Sequence, residues 1–127
     1  IVNENDTVCV TELMFTDNDE LSGLIARLMG CQALVILSNV DGLYDGTPGS
    51  PEARLIREVR AGQDVAQYIS PEHSSAGRGG MESKCSIALA AAQAGIHVYI
   101  ANGKREHVLT DLLLSPTPSL PFTHFLP

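Results

Sequence analysis

Ala33-Leu34-Val35-Ile36-Leu37 runs without a polar residue into Ser38-Asn39-Val40-Asp41-Gly42. An apolar run with no alternation describes a strand covered on both faces, as in a parallel sheet sandwiched between helices. The polar turn with its glycine ends it. Upstream, Leu21, Leu24, Ile25, Leu28 and Met29 recur at helical spacing between Asp17 and Gly30, so a helix precedes the strand. Asp17, Asn18 and Asp19 supply capping groups and negative charge at its start, and Gly30 is a natural stop.

The same alternation continues downstream. Gly46 to Glu52 reads as a surface loop, Ala53 to Val59 as a short strand, Val65 to Ile69 as a helical turn, and Ser70 to Gly80 as loop. The spacing predicts a second long helix over 81–94, with Ile87, Leu89, Ala90, Ala91 and Ala94 on or near its buried side and Gly95 beyond its end. Val98-Tyr99-Ile100-Ala101 reads as another strand, 106–114 as a last helix, and the rest as a proline-spaced tail through Thr123-His124-Phe125 to Pro127. Helix, strand, helix, strand, helix specify an α/β fold, layered and Rossmann-like, with a mainly parallel sheet and helices on both faces. In such sheets ligands meet the loops beyond the strand C-termini.

Composition narrows the function classes. The 127 residues are 44% hydrophobic and 18% charged, with net charge −7 and only two lysines, Lys84 and Lys104. That balance opposes bulk electrostatic binding to nucleic acid or an anionic membrane. It leaves open a phosphate site made from backbone N–H groups and one or two placed cations. No apolar run reaches the roughly 20 residues that span a bilayer, and no signal-peptide pattern opens the chain. Cys9, Cys31 and Cys85 are isolated and lack metal-ligand spacing; they read as reduced thiols of a cytoplasmic protein. His73, His97, His107 and His124 are dispersed, which favours structural or solvated roles.

Three segments carry candidate chemistry. Gly79-Gly80-Met81-Glu82-Ser83-Lys84 opens a helix: two glycines let a phosphate approach the backbone, the helix start presents N–H groups, and Lys84 sits in the first turn. The glycine spacing is not that of a Walker loop, and a flexible loop before a surface lysine would read the same way. Asp17-Asn18-Asp19 is explained by capping alone, unless the three polar residues also receive a substrate ammonium group and position a lysine. Ser38-Asn39-Val40-Asp41-Gly42-Leu43-Tyr44 stands where a nucleotide base or ribose would be met, or is an ordinary turn.

In order along the chain, Asn3-Glu4-Asn5-Asp6-Thr7-Val8, Phe15-Thr16-Asp17-Asn18-Asp19-Glu20-Leu21-Ser22, Val40-Asp41-Gly42-Leu43-Tyr44, Gly79 to Lys84, Ala94-Gly95-Ile96 and Ile100-Ala101-Asn102-Gly103 resemble the amino acid kinase family. Within it they are most similar to the glutamate kinases, which phosphorylate the γ-carboxylate of L-glutamate with ATP to begin proline synthesis. The resemblance implies that Asp6 and Asn18 contact the amino acid, and that Asp19 organises the active-site lysines. It implies that Ser38 and Asn39 hold the nucleotide, that Arg78, Gly79, Gly80, Met81, Glu82, Ser83 and Lys84 form the ATP phosphate segment, and that Lys84 stabilises the phosphoryl group in transfer. ATP with its Mg2+ would be the cofactor, L-glutamate the partner substrate, and a homo-oligomer the assembly. Asn39 stands where an aspartate is usual, Arg78 where threonine is common, and Thr16 where glycine is usual.

The family also uses a glycine-rich loop and a second lysine from an N-terminal half, and this sequence, which opens at Ile1 without methionine, has no matching segment. Residues 1–127 therefore read as the C-terminal ATP-binding part of a kinase domain with the N-terminal half absent, inactive by itself. Acetylglutamate, aspartate or UMP kinases, or a non-catalytic nucleotide-binding module, are the alternatives; Asn3 to Asp6 together with Asp17 to Asp19 favour the glutamate branch.

Overall fold

The computed structural model describes residues 18–47, 49–69 and 80–127. Helix α1 (Asn18–Leu28) leads into strand β1 (Ala33–Ser38). A short strand β2 (Glu58–Arg60) and a single 3-10 turn (Ala66–Tyr68) follow, then helix α2 (Met81–Gln93) and strand β3 (His97–Asn102). Helix α3 (Val108–Leu114) and strand β4 (Phe122–Leu126) complete the chain. Gly30 and Gly95, just past α1 and α2, have φ of +62° and +88°, the left-handed conformation that lets a helix reverse into a strand and that glycine adopts without a Cβ penalty.

The four strands lie in the order β1-β3-β4-β2. β1 and β3 are parallel, from Ala33 opposite His97 to Ser38 opposite Asn102. β2 and β4 are also parallel, while β3 and β4 pair antiparallel with Val98 opposite Phe125. The sheet is thus mostly parallel, with helices on both faces. Against one face, Ile36, Val59, Val98, Ile100 and Phe125 pack with Ala26 of α1 and Cys85, Ala88, Ala91 and Ala92 of α2. Against the other, Ala101 packs with Val108, Leu112 and Leu120, flanked by Val35, Tyr99 and Phe122.

Two readings of the sequence need correction. The proline-spaced tail contains β4, an interior strand. Its Thr123 and Phe125 face one side and Phe122 the other, so no period of two marks it. In α1, Gly23 and Ala26 are buried and Leu21, Leu24 and Ile25 half-buried, while Leu28 and Met29 at its end are 75% and 74% exposed. A Cβ on Gly23 would come within 2.7 Å of Ile87 Cγ2, so small residues let α1 and α2 approach closely. Likewise Cys85 and Ala88, rather than Ala90 and Ala94, take the buried side of α2.

Candidate functional site

Because α1 reverses into β1, and α2 into β3, both helix N-termini lie at the end of the sheet where β1 and β3 finish. Most of the described candidate residues gather at this end, as expected for a layered α/β domain.

Asp19 stands in the first turn of α1 and Lys84 in the first turn of α2. Lys84 Nζ donates to Asp19 Oδ2 at 2.6 Å, with the two side chains 12% and 22% exposed. The pair ties two helix starts together across 65 positions of sequence and holds an ammonium at the mouth of the site. Asn18 is exposed beside Asp19. Ser22 Oγ donates to Asp19 O at 2.7 Å, which firms this first turn.

Gly80 is the residue before α2, with φ −64° and ψ 176°, and no side chain caps the helix. A Cβ there would meet no atom of the described residues within 4 Å. Neither backbone strain nor packing among the described residues therefore requires glycine at this position. Lys84 N–H donates to Gly80 O at 3.2 Å, closing the first turn. Met81 packs against the core, Glu82 is exposed and Ser83 half-buried. Asp6, Arg78 and Gly79, with Thr16 and His73, lie outside the described residues.

Ser38 ends β1, and Ser38 Oγ donates to Asn39 Oδ1 at 3.5 Å. The turn beyond them is held on two sides. Arg105, from the turn after β3, donates through Nε to Asp41 Oδ1 at 2.7 Å and through Nη2 to Asp41 Oδ2 at 2.9 Å. The Arg105 hydrogen bonds hold the Asp41 carboxyl below its ordinary range against the opposing effect of burial, with Asn102 and Tyr44 as further donors. Burial, then the Asp41 charge, push the Tyr44 phenol up.

On the other side, the fully buried Thr123 of β4 accepts from Leu43 N–H at 2.8 Å and donates to Ile56 O at 2.7 Å. Gly42 lies directly over it: a Cβ on Gly42 would overlap Thr123 Oγ1 and sit 2.9 Å from Thr123 N. The glycine of this turn is therefore required by close approach to β4.

From the sequence, Asp41 reads only as one residue of a turn that either meets a nucleotide or is ordinary, and Arg105 and Thr123 carry no signal of their own. Opposite charges just beyond two adjacent parallel strands would have been the clue to the first pair. The histidines are also less dispersed than their spacing implies. His97 Nδ1 and His124 Nε2 are 3.0 Å apart, and Tyr99 stacks on His124 with centroids 4.4 Å apart.

Among the described residues, no cluster of three or more His, Cys, Asp or Glu could hold a metal ion, and no helix is long and apolar enough to cross a membrane. The groove between α1 and α2, lined by Glu20, Gly23, Arg27 and Ile87 among others, is distinct from the residues above.

The model of the amino acid kinase family matches residues 1–102. Glutamate 5-kinase of Bacteroides thetaiotaomicron is 57% identical over 127 residues, all of this chain and 35% of that protein. Glutamate 5-kinase of Chlorobaculum tepidum is 54% identical over 114 residues, 88% of this chain and 31% of that protein. The chain thus spans about a third of the length of these curated relatives. Among solved structures, UMP kinase from Ureaplasma parvum superposes with a TM-score of 0.65 at 18% identity, covering 89% of this chain and 43% of that one. Carbamate kinase from Giardia lamblia bound to AMP-PNP superposes with a TM-score of 0.61 at 20% identity, covering 87% and 32%. At such identities the likeness concerns the fold.

Proposed function

The chain belongs to the amino acid kinase family, and on that footing we propose that it is the C-terminal, ATP-binding part of a glutamate 5-kinase. The reaction is attack of a γ-carboxylate oxygen of L-glutamate on the γ-phosphorus of ATP, with the bond to ADP breaking and γ-glutamyl phosphate forming, the first step of proline synthesis. The choice of glutamate is supported by the identity to glutamate 5-kinases over the whole chain.

The observation that carries the catalytic reading is the Lys84–Asp19 ion pair between two helix starts. Phosphoryl transfer depends on positioning and on electrostatic stabilisation of charge on the phosphoryl oxygens. Lys84 meets that charge, and Asp19 keeps its ammonium in place. The open backbone at Gly80 supports phosphate approach to the α2 N-terminus. Ser38 and Asn39 hold the nucleotide at the end of β1, and Asp6 and Asn18 receive the amino acid. Mg2+ would be held through the phosphates of the nucleotide, the usual way this ion is bound at kinase sites, and would neutralise their charge.

The domain reading is supported by β1, an apolar strand that pairs on one side only among the described residues, with Leu37 45% exposed on it. Such an edge suits further sheet in the complete enzyme. Residues 1–127 alone should bind nucleotide weakly and turn over essentially no glutamate. The exposed Leu109, Leu113 and Leu114 of α3 support a homo-oligomer, and the free thiols Cys31 and Cys85 suit the cytoplasm.

The test is Lys84→Ala in the complete kinase. A contact made chiefly in the transition state should cost kcat about 10²-fold or more and leave the KM for glutamate little changed. A change confined to the glutamate KM would displace Lys84 from the reaction. ADP formation at equal rates with N-acetylglutamate or UMP in place of L-glutamate would overturn the substrate.

A further inference from the structure

Two turns leave the same end of the sheet from adjacent parallel strands, 39–43 after β1 and 103–107 after β3. Gly103 N–H donates to Ser38 O at 2.9 Å, carrying the strand pairing one step past the sheet. Beyond it, the backbone of neither turn bonds to the other; Asp41 and Arg105 make the connection through side chains, 64 positions apart. The guanidinium presents two parallel N–H groups to the two carboxylate oxygens, a geometry that fixes plane and direction as well as distance. Asp41 is 17% exposed and Arg105 44%, so the carboxylate is seated in the fold and the arginine closes over it.

The other faces of Asp41 are occupied by Asn102 and by Tyr44 Oη at 3.4 Å. Asp41 is therefore the hub where the β3 turn grips the segment that begins at Ser38 and Asn39. A turn ordered in advance loses less conformational entropy when a ligand docks on it.

We infer that Asp41 and Arg105 form a latch that orders the turn carrying Ser38 and Asn39, so that Arg105 is a positioning residue for affinity toward ATP and takes no part in the phosphoryl transfer itself. The inference rests on the proposed placing of the nucleotide at Ser38 and Asn39.

The experiment compares Arg105→Gln, Arg105→Lys, Asp41→Asn and the Asp41→Asn/Arg105→Gln double variant in the complete kinase, varying ATP and glutamate separately. Arg105→Gln should raise the KM for ATP about two- to fivefold, the size of a partly exposed ion pair, with kcat and the glutamate KM changed less than about twofold. Arg105→Lys should recover only part of the loss, because an ammonium cannot reproduce the paired bonds. The double variant should be no worse than Asp41→Asn alone, since both remove one interaction.

Additive losses, an unchanged KM for ATP, or a parallel rise in the glutamate KM would overturn the latch. Lys84→Ala assayed alongside separates the two ideas. If it abolishes turnover while the Arg105 variants keep their affinity for ATP, the latch is wrong and the active site stands. If Lys84→Ala is kinetically silent while Arg105→Gln still raises the KM for ATP, the role of Lys84 falls and the latch stands.

Discussion

Replacing Thr123 by valine removes one hydroxyl from a fully buried position while keeping the shape of the side chain. That hydroxyl is the partner of two backbone groups, accepting from Leu43 N–H at 2.8 Å and donating to Ile56 O at 2.7 Å. A buried donor or acceptor left without a partner costs about 1–3 kcal/mol. Leu43 is 1% exposed and its N–H has no route to water, whereas Ile56 is only half-buried and its carbonyl is partly relieved. The two together cost about 2–4 kcal/mol, and valine's extra methyl returns about 0.8 kcal/mol. Thr123→Val should therefore destabilise the protein by about 1–3 kcal/mol. Thr123→Ser keeps both hydrogen bonds and gives up one methyl, for about 1 kcal/mol. Urea unfolding followed by circular dichroism measures both variants, with the midpoint shift converted through the common slope. A valine variant as stable as the serine variant would refute the claim that β4 holds the 39–43 turn through this hydroxyl.

Further outcomes can be checked on the same protein. Gly42→Ala drives a methyl into Thr123 and its backbone, so thermal unfolding should register a loss of about 2 kcal/mol or more; Gly80→Ala, with open space around it, should leave the unfolding temperature in place while weakening nucleotide binding. Burial pushes the Cys85 thiol up to about 12 against the opposing charge of Lys84, so alkylation at pH 8, mapped by peptide mass, should spare Cys85 until denaturant is added. Burial, then the charge of His97, hold the His124 pKa below its usual value, with Glu58 acting the other way. The unfolded chain then binds more protons near and below about pH 6.5, so this contribution to stability is complete above that pH and is lost as the pH falls. His97→Gln should flatten that acid loss in a pH series of unfolding midpoints, and an unchanged slope would contradict the coupling.

The helices and the two long strands were legible because their signals are local. Gly30 and Gly95 end α1 and α2 in the left-handed conformation that their positions after apolar-periodic segments imply. Ala33 to Leu37 is apolar throughout because β1 has helices on both faces of its sheet. The helix-opening Gly80 to Lys84 segment could be placed at a ligand-facing end from the alternation of elements alone. Which face of α1 is buried was not legible, since its apolar residues include the exposed Leu28 and Met29. Close packing against Ile87 instead demands Gly23.

By itself, then, the sequence determined the order and type of most elements and the family. It did so because periodicity, caps and glycine stops depend on neighbours within a few turns. The tertiary structure alone decided that the tail becomes interior strand β4, that Lys84 meets Asp19 across 65 positions and that Arg105 meets Asp41 across 64. Those outcomes depend on the path of the whole chain. A strand covered on both faces carries no period to announce it, and an ion pair between distant turns exists only once the strands beneath them have paired side by side.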